Sequence, residues 1–188
     1  MSIHQLQASY VTEQDRILVR LNTHAGEELR LWLTRRMVKN LFPHMIKVTT
    51  ELVATPTQNS GRDGSDSKAS VQFKIQESLR QADFVTPFKS QATTLPIGES
   101  PLLATTVHIT PSEGGGLRIG FEEKVPDQAG SRSFEVTLGQ DLLHGFMHLL
   151  EAALQHADWG ITLNQLDPRT DAEVADVFTA AEPPQYLN

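Results

Sequence analysis

Strict alternation of apolar side chains is the feature that most narrows what this chain can fold into. Ile17, Val19 and Leu21 occupy one parity, and after the break NTHAGE, Leu29, Leu31 and Leu33 occupy one parity again. A period of two lines these side chains up on one face of an extended strand, whereas a helix would scatter them. Residues 3–10 alternate more loosely, through Leu6, Ala8 and Tyr10. The connecting VTEQD and NTHAGE are hairpin-loop material, the second with a glycine for its tight bend. Thr34 then stands where a helix cap belongs. Met37, Val38, Leu41, Met45, Val48 and Leu52 follow at helical spacing. Pro43 lies inside this run and lacks a backbone donor, so a kink or break is expected near Leu41–Phe42.

The same pattern returns a hundred residues later. Residues 101–109 read as a strand, and the glycines at 114–116 as a flexible hairpin loop. Leu117, Ile119 and Phe121 alternate, a loop containing Pro126 and Gly130 follows, and Phe134, Val136 and Leu138 alternate again before Gly139 opens a second helix. In both halves the first apolar pair of the helix falls four and five residues beyond the last strand leucine: Met37-Val38 and Leu142-Leu143. The fold class expected is α+β: two antiparallel βββα units, an internal duplication, with helices packed on one face of the sheets.

The organisation expected is a first βββα unit at 1–54, a linker at 55–70, a connection at 71–101, a second βββα unit at 102–166 and an acidic mobile tail at 167–188. The linker, TPTQNSGRDGSDSKAS, has almost nothing to bury and reads as disordered. The connection combines a short helix at about 69–83 with an irregular stretch punctuated by Pro87, Pro96 and Pro101. Trp159, in DWGITL, reads as the anchor of a short strand or packed turn. A three-stranded unit alone leaves much apolar surface uncovered, so one fused domain is expected. Its core should contain Leu29, Leu31, Leu33, Leu41, Ile119, Phe121, Val136, Leu138, Phe146 and Leu149.

The chain has no cysteine, which removes disulfides, thiolate metal sites, iron–sulfur clusters and cysteine nucleophiles, and suits a reducing compartment. The N-terminal MSIHQLQASYVTEQD lacks the basic start and apolar run of a signal peptide. No apolar stretch approaches the roughly 18 residues of a membrane-spanning helix. A cytoplasmic protein without membrane association is therefore expected. The net charge of −7 is unevenly spread. Residues 1–50 carry seven basic and four acidic groups, a net +3 that leaves −10 for the rest. Such a chain repels polyanions at long range, and nucleic-acid binding would need a local basic patch.

Two surfaces remain as candidates for function. The first is in LLHGFMHLLEAALQH (142–156), where His144, His148 and Glu151 share helical spacing. With Leu142 at zero on a wheel advancing 100° per residue, Leu142, Phe146, Leu149 and Ala153 fall within about 40° of it, and the His144, His148, Glu151 and Gln155 stripe lies opposite. Imidazoles at i and i+4 can share a metal, and a carboxylate one turn on can join them. The run is not HExxH, because Gly145 stands where a catalytic glutamate would be, and nothing in the sequence announces a third ligand. The stripe reads as the solvent face of an amphipathic helix, and an enzyme with a site at His144 and His148 is the minor alternative. No phosphate-binding loop, GxGxxG turn or GxSxG elbow is present, so no catalytic residue, metal or cofactor is expected.

The second surface is the basic side of the first helix, Arg35, Arg36, Lys39 and Lys47, opposite its apolar stripe. Beside the reading as solvated surface stand three uses: docking an acidic protein partner, contacting a phosphate backbone, or contacting the chain's own acidic tail, where DAEVADVFTAA (171–181) spaces Val174, Val177, Phe178 and Ala181 like a groove-binding helix. The expectation is a non-enzymatic protein–protein interaction module. The runner-up is single-stranded nucleic-acid binding through Arg16, Arg20, Arg30 and Arg118 and a stacking Trp32, against which stand the net charge and an aromatic content of 6%.

The stretch DRILVRLNTHAGEELRLWLTRRMVKNLFP, together with ADFVTPF and the closing ADWG, resembles a group of uncharacterised proteobacterial proteins that carry an RLWLTRR-like signature. That resemblance implies no activity and no site residues. At the level of architecture alone, repeated meander-plus-helix units are similar to those of the Whirly and Pur-alpha single-strand-binding proteins, whose units have four strands where three are counted here.

Overall fold

The computed structural model describes residues 3–54, 76–77, 79–80, 82, 86–89, 94–112, 116–125 and 130–161, with residues 49–54 by backbone alone. The linker expected at 55–70 and the acidic tail at 167–188 lie outside the described residues, as does most of the short helix expected at 69–83, of which 76–77 and 79–80 are helical. In chain order the elements are β1 (Ile3–Val11), one 3-10 turn (Thr12–Gln14), β2 (Arg16–Thr23), β3 (Glu28–Thr34), α1 (Arg35–Ala54), β4 (Leu102–Leu103), β5 (Thr106–Ser112), β6 (Gly116–Glu123), β7 (Arg132–Leu138) and α2 (Gln140–Ala157). They form a four-stranded sheet, β1-β2-β3-β4, and a three-stranded sheet, β5-β6-β7. The architecture is mixed α+β.

Hairpin register converts the alternation of the sequence into one apolar face. In the first sheet Ile17 pairs with Leu33, Val19 with Leu31 and Leu21 with Leu29, while Tyr10, Ala8 and Leu6 of β1 face the same three β2 residues. In the second, Ile119 lies between Ile109 and Val136, and Phe121 between Val107 and Phe134. Two conformational requirements set the turns. Gly26 sits at φ 78 in the β2–β3 turn, a region that side chains disfavour. At Gly116 a Cβ would lie 2.3 Å from the Leu138 carbonyl oxygen, so only glycine lets the start of β6 approach the end of β7.

The first helix starts as its cap residue dictates: the Met37 amide donates to Thr34 Oγ1 at 3.2 Å. The break expected at Pro43 does not occur, and α1 runs unbroken from Arg35 to Ala54. Proline costs a helix interior about 3 kcal/mol or more. Here Val38 and Leu41 before it and Phe42 and Met45 around it are all buried in one core, so packing on both sides holds the helical path.

The strand expected at 101–109 is two. Leu102 and Leu103 run parallel to Leu31 and Trp32 in the first sheet, and the chain then crosses into the second sheet as β5. Thr105 makes the crossing: its amide and hydroxyl donate to the Glu122 carbonyl at 2.9 and 3.0 Å, and its hydroxyl accepts from the Lys124 amide at 2.8 Å. Arg132 fastens the approach to that crossing, donating to the carbonyls of Ile97, Ser100 and Pro101 and to the Glu123 carboxylate. The second helix likewise does not stay with its own strands. It packs on β1 as well as on β6 and β7, whereas α1 packs on β3. Buried side chains from both sheets and both helices form one apolar cluster, which includes every core residue expected from the sequence except Leu149, which is half-buried.

Candidate functional site

Arg35, Arg36, Lys39 and Lys47 are all exposed, together with Asn40 and His44, on the side of α1 away from buried Val38, Leu41, Phe42 and Met45. At a rise of 1.5 Å per residue, Arg35 to Lys47 spans about 18 Å. None of the four cations forms an ion pair with a described residue. His44 Nδ1 donates to the Asn40 carbonyl at 2.8 Å, which holds that ring along the helix between Lys39 and Lys47. The face thus presents four positive charges without an ion pair among the described residues, on a helix whose opposite side is buried. Like charges of this kind raise one another's energy, and an anionic surface of matching length relieves it.

The outer face of the first sheet is organised differently from the sequence expectation. Arg20 and Arg30 are opposite one another in register, but both are held by Glu28, whose side chain is 1% exposed. Arg20 Nε donates to Glu28 Oε1 at 2.9 Å and Arg30 Nε to the same oxygen at 2.6 Å. Burial works to raise the Glu28 carboxyl, and the hydrogen bonds from Arg30 and Arg20 outweigh it, so the group titrates below the ordinary glutamate value. The guanidinium of Arg20 also stacks 4.4 Å from the centre of the Phe88 ring. The 86–89 segment is tied down beside it: Asn22 Nδ2 donates to the Lys89 carbonyl at 2.7 Å, and the Lys89 amide donates to Gln5 Oε1 at 3.0 Å. Glu28 Oε2 and Asn22 Oδ1, on register-paired residues, are buried acceptors without a donor among the described residues. Of the four sheet arginines considered for nucleic-acid contact, two are therefore committed to an internal carboxylate. Arg118, on the other sheet, lies 3.5 Å from Glu135.

The histidine stripe is not one surface. His148 is exposed and Glu151 half-buried, but His144 is 2% exposed, and neither of its ring nitrogens is hydrogen-bonded to a described residue. The buried side of α2 is centred on Leu143, Leu150 and Ala157, which leaves Leu142 40% exposed and carries His144 inward. Burial lowers the His144 pKa from its ordinary value, and the nearby Asp141 charge opposes that shift only in part. Burial therefore disfavours the charged form of the ring in the folded protein. Among the described residues no group of three or more His, Asp and Glu side chains is placed to hold a metal ion.

One cluster was only partly legible in the sequence. Asp15, in the left-handed region at φ 47, accepts from both Tyr10 Oη at 2.9 Å and Trp159 Nε1 at 2.7 Å, while the Tyr10 and Trp159 rings meet edge to face at 5.8 Å. The hydrogen bonds from Trp159 and Tyr10 hold the Asp15 carboxyl below its ordinary value, and the charge of Arg35 adds to the effect. Trp159 was legible as an anchor; its partner, in a loop 144 positions away, was not.

No protein-family model matches the chain, and neither does any curated protein or solved structure. No helix among the described residues is long and apolar enough to cross a membrane.

Proposed function

We propose that this chain is a cytoplasmic protein that works by docking rather than by catalysis, and that its docking surface is the basic face of α1, offered to a protein with an acidic surface. The observation that carries the reading is that Arg35, Arg36, Lys39 and Lys47 are exposed on one side of a helix whose opposite side is locked into the core, with no ion pair to a described residue. A row of cations on one helix face needs only local complementarity, which makes a folded acidic partner a better fit than a long polyanion repelled by the net charge of −7. Engagement of Arg20 and Arg30 by Glu28 supports the same preference, because it withdraws two of the groups that single-strand binding would use.

The paired strand-strand-strand-helix runs support a second element of the proposal, an origin by internal duplication. Ile17-Val19-Leu21 and Leu117-Ile119-Phe121 occupy equivalent central-strand positions on the apolar faces of their sheets.

The test is a titration of the full chain with three labelled ligands, a glutamate-rich peptide, single-stranded DNA and single-stranded RNA, at two salt concentrations. The proposal expects salt-sensitive binding of the peptide that is lost in Arg35→Glu/Arg36→Glu. Binding of the oligonucleotides at low micromolar concentration, lost in the same variant while the peptide fails to bind, would replace it with the single-strand reading.

A further inference from the structure

The start of β1 carries an irregularity that sets one side chain apart. Leu6, Ala8 and Tyr10 pack against the core, and so does Ile3, which strict alternation would send to the opposite face. A shift in register resolves the conflict: Ile3 pairs with Thr23 and Gln5 with Asn22, so His4 is an extra residue in β1. Such a bulge bends the strand and re-aims the side chain it carries. His4 is exposed, and its ring lies 4.7 Å from that of His24, centre to centre, at an interplanar angle of 46°.

His24 is placed by the β2–β3 turn, where it too is exposed. The Thr23 amide donates to the Glu27 carbonyl at 2.9 Å and the Gly26 amide to the Thr23 carbonyl at 3.1 Å. The Glu27 amide donates to Thr23 Oγ1 at 3.2 Å, so the backbone is tied on both sides of His24. Among the described residues neither imidazole makes a hydrogen bond, and no described group competes for their nitrogens.

We propose that His4 and His24 form a two-imidazole site for a divalent transition metal ion such as zinc. Zinc–imidazole bonds are about 2.0–2.1 Å long, so two rings on one tetrahedral ion have their centres about 5 Å apart. The pair already stands near that separation, and exposed rings need only rotate about their side-chain bonds to turn one nitrogen each toward a common point. The donor set selects the ion: imidazole suits zinc, nickel and copper(II), whereas magnesium and calcium take oxygen ligands. Once one imidazole holds the ion the second binds intramolecularly, which lifts the pair above any lone surface histidine. No third His, Asp or Glu is grouped with them among the described residues, so the other positions fall to water or an outside donor. The bound ion ties the first residues of the edge strand β1 to the β2–β3 turn. Sequence spacing does not show the site, because its two rings come from different elements. It shares no residue with the basic face of α1 and stands or falls apart from the docking reading.

The test is calorimetric titration of zinc chloride into the metal-free full chain, without an affinity tag, near neutral pH. One ion per chain should bind with a Kd below about 0.1 mM. His4→Gln and His24→Gln should each weaken binding by about tenfold or more. His108→Gln and His148→Gln, which alter other exposed histidines, should leave it unchanged. Magnesium chloride should give no binding heat. Thermal unfolding is the second measurement, because an ion that binds only the folded chain stabilises it. Zinc should raise the melting midpoint of the wild type and leave that of either ligand variant where it was. A weaker Kd in the wild type, or binding that survives either His4→Gln or His24→Gln, overturns the proposal. Binding that disappears with His148→Gln instead overturns it too, and returns the metal to α2.

Discussion

Trp159 Nε1 donates to Asp15 Oδ1 across 2.7 Å and 144 positions of sequence, and the same oxygen accepts from Tyr10. This one carboxylate closes the β1–β2 turn and fixes the chain just beyond α2, so it joins the start of the fold to its described end. The two donors favour the ionised form, which depresses the Asp15 pKa, and the sign of the pH dependence follows. A depressed carboxyl contributes stability above its unfolded value near 3.8, and that contribution is lost as pH falls through the folded value. Trp159→Phe, which keeps a ring but removes the donor, should lower the melting midpoint at pH 6, and the gap to wild type should narrow below pH 4. A gap that does not change with pH would assign the loss to packing alone.

His144 supplies the opposite case, a buried base. Its folded pKa is lowered by burial, so the folded and unfolded states differ in bound protons below the unfolded value of about 6.5. Stability is full above that pH and is lost as pH falls from there toward the folded pKa, at up to about 1.4 kcal/mol per pH unit. His144→Leu removes both the titration and two ring nitrogens that have no partner among the described residues. Urea unfolding should find the variant about 1 kcal/mol more stable at pH 7.5 and without the wild-type decline toward pH 5.5. A parallel decline in both proteins would place the responsible group elsewhere.

Glu28 is the other buried ionisable group among the described residues, and here the partners matter more than the pH. Glu28→Gln leaves Arg20 and Arg30 facing each other across a neutral amide. Removing one member of a fully buried pair costs about 3–5 kcal/mol; with Arg20 19% and Arg30 30% exposed, about 2–3 kcal/mol is expected from chemical denaturation. An effect below about 0.5 kcal/mol would mean that solvent screens the triad completely.

The strands were legible because hydropathic alternation and hairpin register are the same information: once Ile17, Val19 and Leu21 share a face, antiparallel pairing sends Leu29, Leu31 and Leu33 to it. Glu28 could have been placed as well, since the same register sets it beside Asn22 and near Arg20 and Arg30, but a charge at that parity reads as solvent-facing until the 86–89 segment is seen on that face. What misled was phase. A wheel zeroed on Leu142 puts His144 outside, whereas packing turns α2 toward Leu143, Leu150 and Ala157, a rotation no local pattern dictates. The division at Ala104–Thr105 was equally hidden, because both parts of that run are extended and only the partner strand differs. The face of Arg35, Arg36, Lys39 and Lys47 was readable outright, since its helix phase was set by a stripe that did reach the core.

The shared core makes a prediction about domains. Leu102 and Leu103 belong to the first sheet, and α2 packs on β1, so neither half completes its burial alone. With a specific protease site introduced after Gly61, the two cleaved fragments should co-elute under native conditions and separate only in denaturant. Fragments that part as two folded species would show two domains.

The docking face is the central claim, and residue-resolved binding tests it most directly. Amide chemical shifts of the isotopically labelled full chain should be recorded while a glutamate-rich peptide is added at low salt. The account predicts shift changes concentrated at Arg35, Arg36, Lys39, Asn40, His44 and Lys47, reversed by salt and absent in Arg35→Glu/Arg36→Glu. Shifts that cluster instead around Arg20, Arg30 and Trp32 on the outer sheet face, or none at all, would contradict it.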